Sequence, residues 1–305
     1  MSQLASLQLD DLQKNASLAK YTAARLGGRA DWLYLAKKSV FELADVVKTA
    51  WADNLPVRVL GGGANVLVSD KGVRGLVVIN RVSQIDFGNW HNGRNVSATS
   101  GTGLLRLARE CANHGIAGME WAVGVPGTVG GAVVNNAGAH NSDMAFCVAD
   151  VVVLEANNFP KIYTNAEMQY NYRHSMLKSR VDRQFVILQT NFILPYDSPD
   201  AIQQRMEEFN AYRKRTQPPG ASLGSIFKNP EGDYAGRLIE ASDLKGCHIG
   251  GVEVSRKHAN FFVVQADDKA TASDYYRLIR HVQETVMAKQ GVTLELEIEL
   301  VGEWT

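Results

Sequence analysis

Two glycine clusters are the residues of this chain whose type and spacing first suggest chemistry. Gly61-Gly62-Gly63-Ala64-Asn65 follows the short apolar run Leu55–Leu60. Gly124-Val125-Pro126-Gly127-Thr128-Val129-Gly130-Gly131-Ala132 then places four glycines within eight positions, ahead of Asn135, Asn136 and Gly138. Glycine loses more backbone freedom on ordering than any other residue, so this density calls for close approach by a ligand or by another chain segment. Backbone N–H groups without side chains in the way can converge on an anion, and two such loops in one domain suit the two ends of a diphosphate. Tight turns of purely structural purpose are the competing reading. Neither loop is a standard phosphate fingerprint. The dinucleotide pattern G-x-G-x-x-G needs a glycine where Val66 stands, and G-x-x-x-x-G-K-[ST] is absent. Gly220-Ala221-Ser222-Leu223-Gly224 matches the G-x-S-x-G hydrolase elbow, but Pro218, Pro219 and Pro230 flank it where that elbow requires a strand and a helix.

The elements that must position these loops read as an α+β pattern. β-branched runs bounded by turn residues predict strands at 55–60, 66–69, 76–79, 96–99, 150–154 and 185–194. Helical spacing of apolar residues predicts helices over 40–52 and 103–114. The Pro195–Pro199 stretch (PYDSP) is the expected linker, which divides the chain into a glycine-loop domain over 21–194 and a smaller α/β domain over 195–305. In the second domain, helices are expected at 200–215 and 270–290, and one last strand over 292–301.

Composition removes whole classes of function. The 305 residues are 45% hydrophobic, enough for a sizeable core, which excludes intrinsic disorder and disulfide-dependent mini-proteins. Lys plus Arg and Asp plus Glu both total 32, so the net charge is zero and the cationic surplus of a nucleic-acid binder is missing. Cys111, Cys147 and Cys247 are too few and too far apart for a metal cage or a disulfide framework, and the seven histidines show no ligand spacing, so no metal is expected. No apolar run reaches the roughly 18 residues that span a bilayer. Met1–Lys20 lacks the basic and apolar regions of a signal peptide, so the expectation is a cytoplasmic protein with no membrane partner.

Read together, the ordered motifs resemble the UDP-N-acetylenolpyruvoylglucosamine reductase (MurB) family of flavoproteins in peptidoglycan synthesis. The resemblance runs from about Tyr21 to Gly302. It includes Thr22-Ala23-Ala24-Arg25-Leu26-Gly27-Gly28, both glycine loops, and Tyr170-Asn171-Tyr172-Arg173-His174-Ser175. It continues through Gly224-Ser225-Ile226-Phe227-Lys228-Asn229-Pro230, Ala235-Gly236-Arg237-Leu238-Ile239-Glu240 and His258-Ala259-Asn260-Phe261. The resemblance implies a vanillyl-alcohol-oxidase/PCMH-type FAD-binding domain and a C-terminal substrate domain. It also implies non-covalent FAD, NADPH as co-substrate and a UDP-sugar enol ether as acceptor. The short interval from Arg173 to Phe185 is similar to the family type without a substrate-clamping tyrosine loop. Ala64 departs from the usual serine of the first loop, removing a hydroxyl that would bond the diphosphate.

The same resemblance assigns roles. Ser225 is implied as the proton donor, although by residue type alone it is equally a turn serine bonding its own backbone. Arg173 carries the planar fork that suits a carboxylate or enolate oxygen. In the tail, Leu294, Leu296, Ile298 and Leu300 alternate with Glu295, Glu297 and Glu299. Periodicity does not choose among those glutamates; the match ending at Gly302 selects Glu297. Cofactor contacts are implied for Gly61, Gly62, Gly63, Ala64, Asn65, Val66, Gly101, Gly124, Pro126, Gly127, Thr128, Gly131, Asn136 and Arg237. Substrate contacts are implied for Tyr172, Arg213, Lys228 and Asn229. A monomer or weak homo-oligomer is expected. The rival readings are a related FAD oxidase or dehydrogenase acting on another small molecule, and a non-redox nucleotide-binding regulator.

Overall fold

The structure is a computed structural model that describes residues 9, 11–88, 93, 95–156, 159–265 and 270–304. The first eight residues of the stretch read as lacking a signal peptide lie outside it. Near the N-terminus, strands β1 (Leu12–Ser17), β2 (Arg29–Ala36), β3 (Val57–Leu60) and β5 (Val73–Asn80) form a sheet in the order β1-β2-β5-β3; β4 (Val66–Val68) lies elsewhere. The pair β3–β5 is parallel, joining Val57–Leu60 to Leu76–Ile79, and the crossover that a parallel pair needs is the loop containing Gly61–Asn65. Helix α1 (Val40–Ala52) begins where Ser39 Oγ accepts the Glu42 N–H at 3.2 Å, and it buries Leu43, Val46, Val47 and Ala50.

The chain divides into two compact units. The first is Met1–Lys14, Trp32–Gly62 and Gly75–Tyr212; the second is Asn15–Asp31, Gly63–Arg74 and Arg213–Thr305. This division departs from a single cut at the PYDSP stretch. Pro195 and Asp197 instead exchange backbone hydrogen bonds with Ala117 and Gly115 inside the first unit, and Pro199 opens a helix that runs on to Thr216.

In the first unit, an antiparallel sheet has the order β11-β10-β12-β7-β6. Its strands are β6 (Ile85–Phe87), β7 (Val96–Thr99), β10 (Val148–Glu155), β11 (Pro160–Thr164) and β12 (Phe185–Phe192). Helix α2 (Leu104–Asn113) packs Leu104, Leu107, Ala108 and Cys111 into a core shared with Trp121, Val151, Phe192 and Met206. The glycine-rich stretch 124–138, expected as loop, contains helix α3 (Val129–Asn135), followed by the hairpin β8 (Gly138–Ala139) and β9 (Ser142–Asp143) and the short helix α4 (Met144–Cys147).

The second unit is built on a sheet in the order β13-β16-β15-β14. Its strands are β13 (Ala221–Ser225), β14 (His248–Ile249), β15 (Val252–Val254) and β16 (Phe261–Val264). Helix α5 (Pro199–Thr216) crosses the division, α6 (Ala235–Ala241) follows the sheet's first strand, and α7 (Ala272–Gln290) buries Tyr275, Leu278, Ile279, Val282 and Val286 against Phe262 and Ile239. A capping box at Thr271 and Asp274 starts α7, and Gly291 in the left-handed region ends it. The tail does not form the continuous strand its alternation suggests. Only β17 (Glu299–Val301) is regular, and it pairs in parallel with β4.

Candidate active site

The two glycine loops meet each other. A Cβ on Gly61 would lie 2.0 Å from Thr128 Oγ1, and one on Gly62 would lie 2.9 Å from the Cα of Gly127. These two glycines are therefore explained by the approach of another chain segment. Arg81 Nη1 also donates to the Gly61 carbonyl at 2.6 Å, so the turn is held from both sides. Gly101 has the same character, since a Cβ there would fall 2.6 Å from Asn80 Oδ1 and from the Val82 carbonyl. Gly131 has more room, with Thr128 Oγ1 at 3.8 Å.

A different situation holds at Gly127 and Gly103, where an added Cβ would meet no heavy atom within 4 Å. Gly127 has φ +128° and Gly124 φ +73°, a backbone course open mainly to glycine, and Gly124 and Pro126 are exposed. The side of Gly127 that a Cβ would occupy is thus open, and Gly127 stands beside the Gly61–Gly62 turn. A flavin dinucleotide needs a surface of this kind for its diphosphate, so the residues present fit that group.

The implied Arg173 sits on a turn of unusual construction in the first unit. Asn171 and His174 exchange two backbone hydrogen bonds of 3.1 and 3.0 Å, and Arg173 between them has φ +53°, uncommon for a residue other than glycine. Its Nη2 donates to the Gly138 carbonyl at 2.9 Å, and its guanidinium lies 5.2 Å from the ring centroid of Tyr172, which is half exposed. Asn136, implied as a cofactor contact, is almost fully buried. Its amide donates to Asp143 Oδ2 and to the Asn171 carbonyl, both at 3.0 Å, and accepts from the Ala145 N–H at 3.0 Å.

In the second unit, Ser225 ends β13 opposite Phe261, one residue after Gly224 at φ +77°. Beyond it the chain pairs with the tail through an antiparallel bridge between Phe227 and Leu296. Glu297 N–H donates to the Ile226 carbonyl and Lys228 N–H to the Glu295 carbonyl, each at 2.8 Å. This register brings Glu297 beside the residue following Ser225. Glu295 is exposed and ion-paired with Lys228, whereas Glu297 is half-buried. Asn65 secures the tail from the other side: its Nδ2 donates to the Glu297 carbonyl at 3.1 Å, and its own carbonyl accepts the Glu299 N–H at 2.9 Å. Gly63 is confined by Tyr21, whose carbonyl would be 2.0 Å from an added Cβ, and Ala64 and Val66 are half-buried nearby in sequence.

The remaining implied residues divide by what occupies them. Asn229 Oδ1 accepts the Ala235 N–H at 3.1 Å, at the start of α6. Arg237 is exposed and forms a forked pair with Asp233, holding that carboxyl down at about 2. Arg213 has no carboxylate partner among the described residues. Its Nη2 donates to Gln217 Oε1 at 2.8 Å, and burial holds its guanidinium below the usual arginine range. A desolvated cation without a counter-charge is poised for an anionic ligand. Met in place of Arg213 is expected to raise stability by about 1 kcal/mol in urea denaturation while raising KM for an anionic substrate. A stabilised variant with unchanged KM would remove Arg213 from the site.

One residue with a clear task carried no assigned role in the sequence. Asn260, buried, donates to the Phe227 carbonyl at 2.8 Å and accepts the Phe227 N–H at 3.0 Å, while its own carbonyl accepts the Ile226 N–H at 2.9 Å. It clamps the backbone directly after Ser225. The readable signal was a lone amide inside the apolar run Ala259–Val264, since a buried amide needs partners. Asn260→Ala orphans both polar groups of Phe227 and is expected to cost about 2–4 kcal/mol in urea denaturation.

Two domains follow one another along this chain, an FAD-binding domain and a C-terminal α/β domain. Residues 33–157 match the FAD binding domain model, and residues 215–301 match the model described as UDP-N-acetylenolpyruvoylglucosamine reductase, C-terminal domain. The chain is 38% identical to the UDP-N-acetylenolpyruvoylglucosamine reductase of Exiguobacterium sibiricum, over 95% of this chain and 92% of that one. It is also 38% identical to the reductase of that name from Streptococcus uberis, over 96% and 94%. The crystal structure of the reductase from Thermus caldophilus superposes with a TM-score of 0.77 at 33% identity, covering 94% of this chain and 97% of that one. The chain therefore belongs to the UDP-N-acetylenolpyruvoylglucosamine reductase family.

Proposed function

We propose that this protein reduces the enolpyruvyl ether of UDP-N-acetylglucosamine to UDP-N-acetylmuramate, with NADPH as the hydride source and non-covalent FAD as the carrier, in peptidoglycan precursor synthesis. The proposed compartment is the cytoplasm, where NADPH and a nucleotide sugar are both at hand. Among the described residues, no helix is long and apolar enough to cross a membrane.

FAD, when bound, would supply two-electron chemistry, the relay of a hydride from NADPH to the terminal carbon of the enol ether. The loop faces at Gly101, Gly124–Thr128 and Gly131, with the turn at Gly61–Val66, would hold it. As the carbon–carbon π bond breaks, its electron pair moves toward the neighbouring carbon and the carboxylate attached there. Arg173 holds that carboxylate and stabilises the charge that builds on it. Ser225 gives its hydroxyl proton to the neighbouring carbon, and Glu297 shares in stabilising the enolate. Arg213, Lys228, Asn229 and Tyr172 hold the substrate, with Arg213 and Lys228 facing its anionic groups.

The observation that carries this reading is the register of the tail. It brings the Glu297 backbone against Ile226, the residue after a strand-end serine whose hydroxyl has no hydrogen bond among the described residues. Steady-state NADPH oxidation by the flavin-loaded protein tests it. Consumption that requires the enolpyruvyl UDP-sugar and yields a product heavier by two hydrogens supports the proposal, whereas NADPH oxidation coupled only to oxygen would contradict it.

A further inference from the structure

We propose that Asn136 and Asp143 are positioning residues for Arg173, holding the 171–174 turn so that the guanidinium is presented in one orientation. The proposal rests on the reading of Arg173 as the group that stabilises the enolate.

The turn carrying Arg173 and the residue after it are held at three points by the end of α3 and the segment just after it. Asn136 Nδ2 donates to the Asn171 carbonyl at 3.0 Å, Arg173 Nη2 donates to the Gly138 carbonyl at 2.9 Å, and Ser175 Oγ donates to the Val134 carbonyl at 2.6 Å. Lys178 Nζ closes the loop by donating to the Arg173 carbonyl at 3.1 Å. A positive φ at a non-glycine residue persists only where its surroundings over-determine it, and these contacts do so for Arg173 at +53°.

Within that frame Asn136 and Asp143 have distinct tasks. The Ala145 N–H can only donate and the Asp143 carboxylate can only accept, so together they leave the Asn136 amide one orientation. In it the NH₂ end faces the Asn171 carbonyl, and a flip would put oxygen against oxygen. Asn136 itself has φ +43°, at the C-terminus of α3, which directs its side chain away from the helix and into this network. Asp143 is placed by its own strand pairing with Gly138, the residue whose carbonyl receives Arg173. A side chain on Gly138 would come within 2.5 Å of the Asp143 Cβ, so the hairpin closes only with glycine there. At the hairpin's tip, His140 stacks on Phe209 of α5 with centroids 4.0 Å apart and planes 8° apart, which fixes the hairpin to the helix. The amide of Asn136 is thus committed to the protein, and its influence on the reaction runs through Arg173.

The test measures the two half-reactions separately on flavin-loaded protein. Asn136→Ala is expected to slow re-oxidation of the reduced flavin by the enolpyruvyl UDP-sugar roughly 10- to 100-fold, as small misplacements of a positioned group do. Flavin content and bleaching by NADPH should stay at wild-type values. Asn136→Ala combined with Arg173→Ala should be no slower than Arg173→Ala alone, because both act through one group. Asp143 offers a route that spares the helix: Asp143→Leu should reproduce the slow re-oxidation, and Asp143→Asn, whose amide oxygen still accepts from Asn136, should rescue it. Loss of flavin, equal slowing of both half-reactions, or losses that multiply with Arg173→Ala would overturn the positioning role. If Arg173→Ala alone leaves re-oxidation unchanged, the reading of Arg173 itself falls, a result separate from the others.

Discussion

Ser225→Ala is expected to slow re-oxidation of the reduced flavin by the enol ether by roughly 10²- to 10⁴-fold, the range for removing a positioned general acid. The rate at which NADPH bleaches the flavin should be unchanged, because no proton from Ser225 enters that half-reaction. The substitution separates chemistry from folding unusually well. The Ser225 backbone is held by pairing with Phe261, and its neighbour Ile226 is held by both Asn260 and Glu297. Its hydroxyl makes no hydrogen bond among the described residues, so its loss breaks none there. An unchanged denaturation midpoint beside a collapsed second half-reaction is the expected pair of results. Ser225→Ala turning over at the wild-type rate would move the proton elsewhere.

Arg173→Ala should produce the second-largest effect, roughly 10²- to 10³-fold on the same half-reaction, the usual consequence of deleting a group aimed at developing negative charge. Lysine should be a poor substitute. Arg173 uses one arm of its fork on the Gly138 carbonyl while its plane rests against Tyr172, and an ammonium cannot do both. Arg173→Lys is therefore expected to fall nearer to alanine than to wild type when re-oxidation is followed by flavin absorbance. A lysine variant with wild-type rates would show that charge alone matters and that the fork's geometry does not.

How much of this was legible in the sequence depended on the kind of interaction involved. Helix α1 has the bounds read from its sequence, and strand β7 has those read from its β-branched run, because short local signals against a nearby core decide both. The fold class and the flavin-binding domain were legible through the order of many motifs, where a single glycine loop said little. Helix α3 was hidden because Gly130, Gly131 and its valines are weak helix formers. It forms in context, with the Thr128 carbonyl accepting the Ala132 N–H and Gly130 seated where a Cβ would lie 2.9 Å from the Ser100 Cβ.

The tail failed for the opposite reason. Its strict alternation promised a strand over 292–301, but its hydrogen bonds go one at a time to Lys228, Ile226 and Asn65 before the ladder with β4 begins. Alternation reports which side is buried; it does not report what partner the backbone has. For the same reason periodicity left the three glutamates equivalent, while the register separates Glu295, tied to Lys228, from Glu297 beside Ile226. The division into units was the least legible feature. Segments 15–31 and 63–74 join the C-terminal unit through contacts distant in sequence, and composition carries no trace of that.

The most direct test of the central claim is anaerobic double-mixing stopped flow on the flavin-loaded protein, with absorbance followed in the flavin band. NADPH is mixed first and the enolpyruvyl UDP-sugar second. The account predicts bleaching on the first mix and recovery of the band on the second, with Ser225→Ala bleaching normally and recovering slowly. Bleaching with no recovery on adding the sugar would leave the flavin domain standing and contradict the proposed substrate and the roles of Arg173, Ser225 and Glu297.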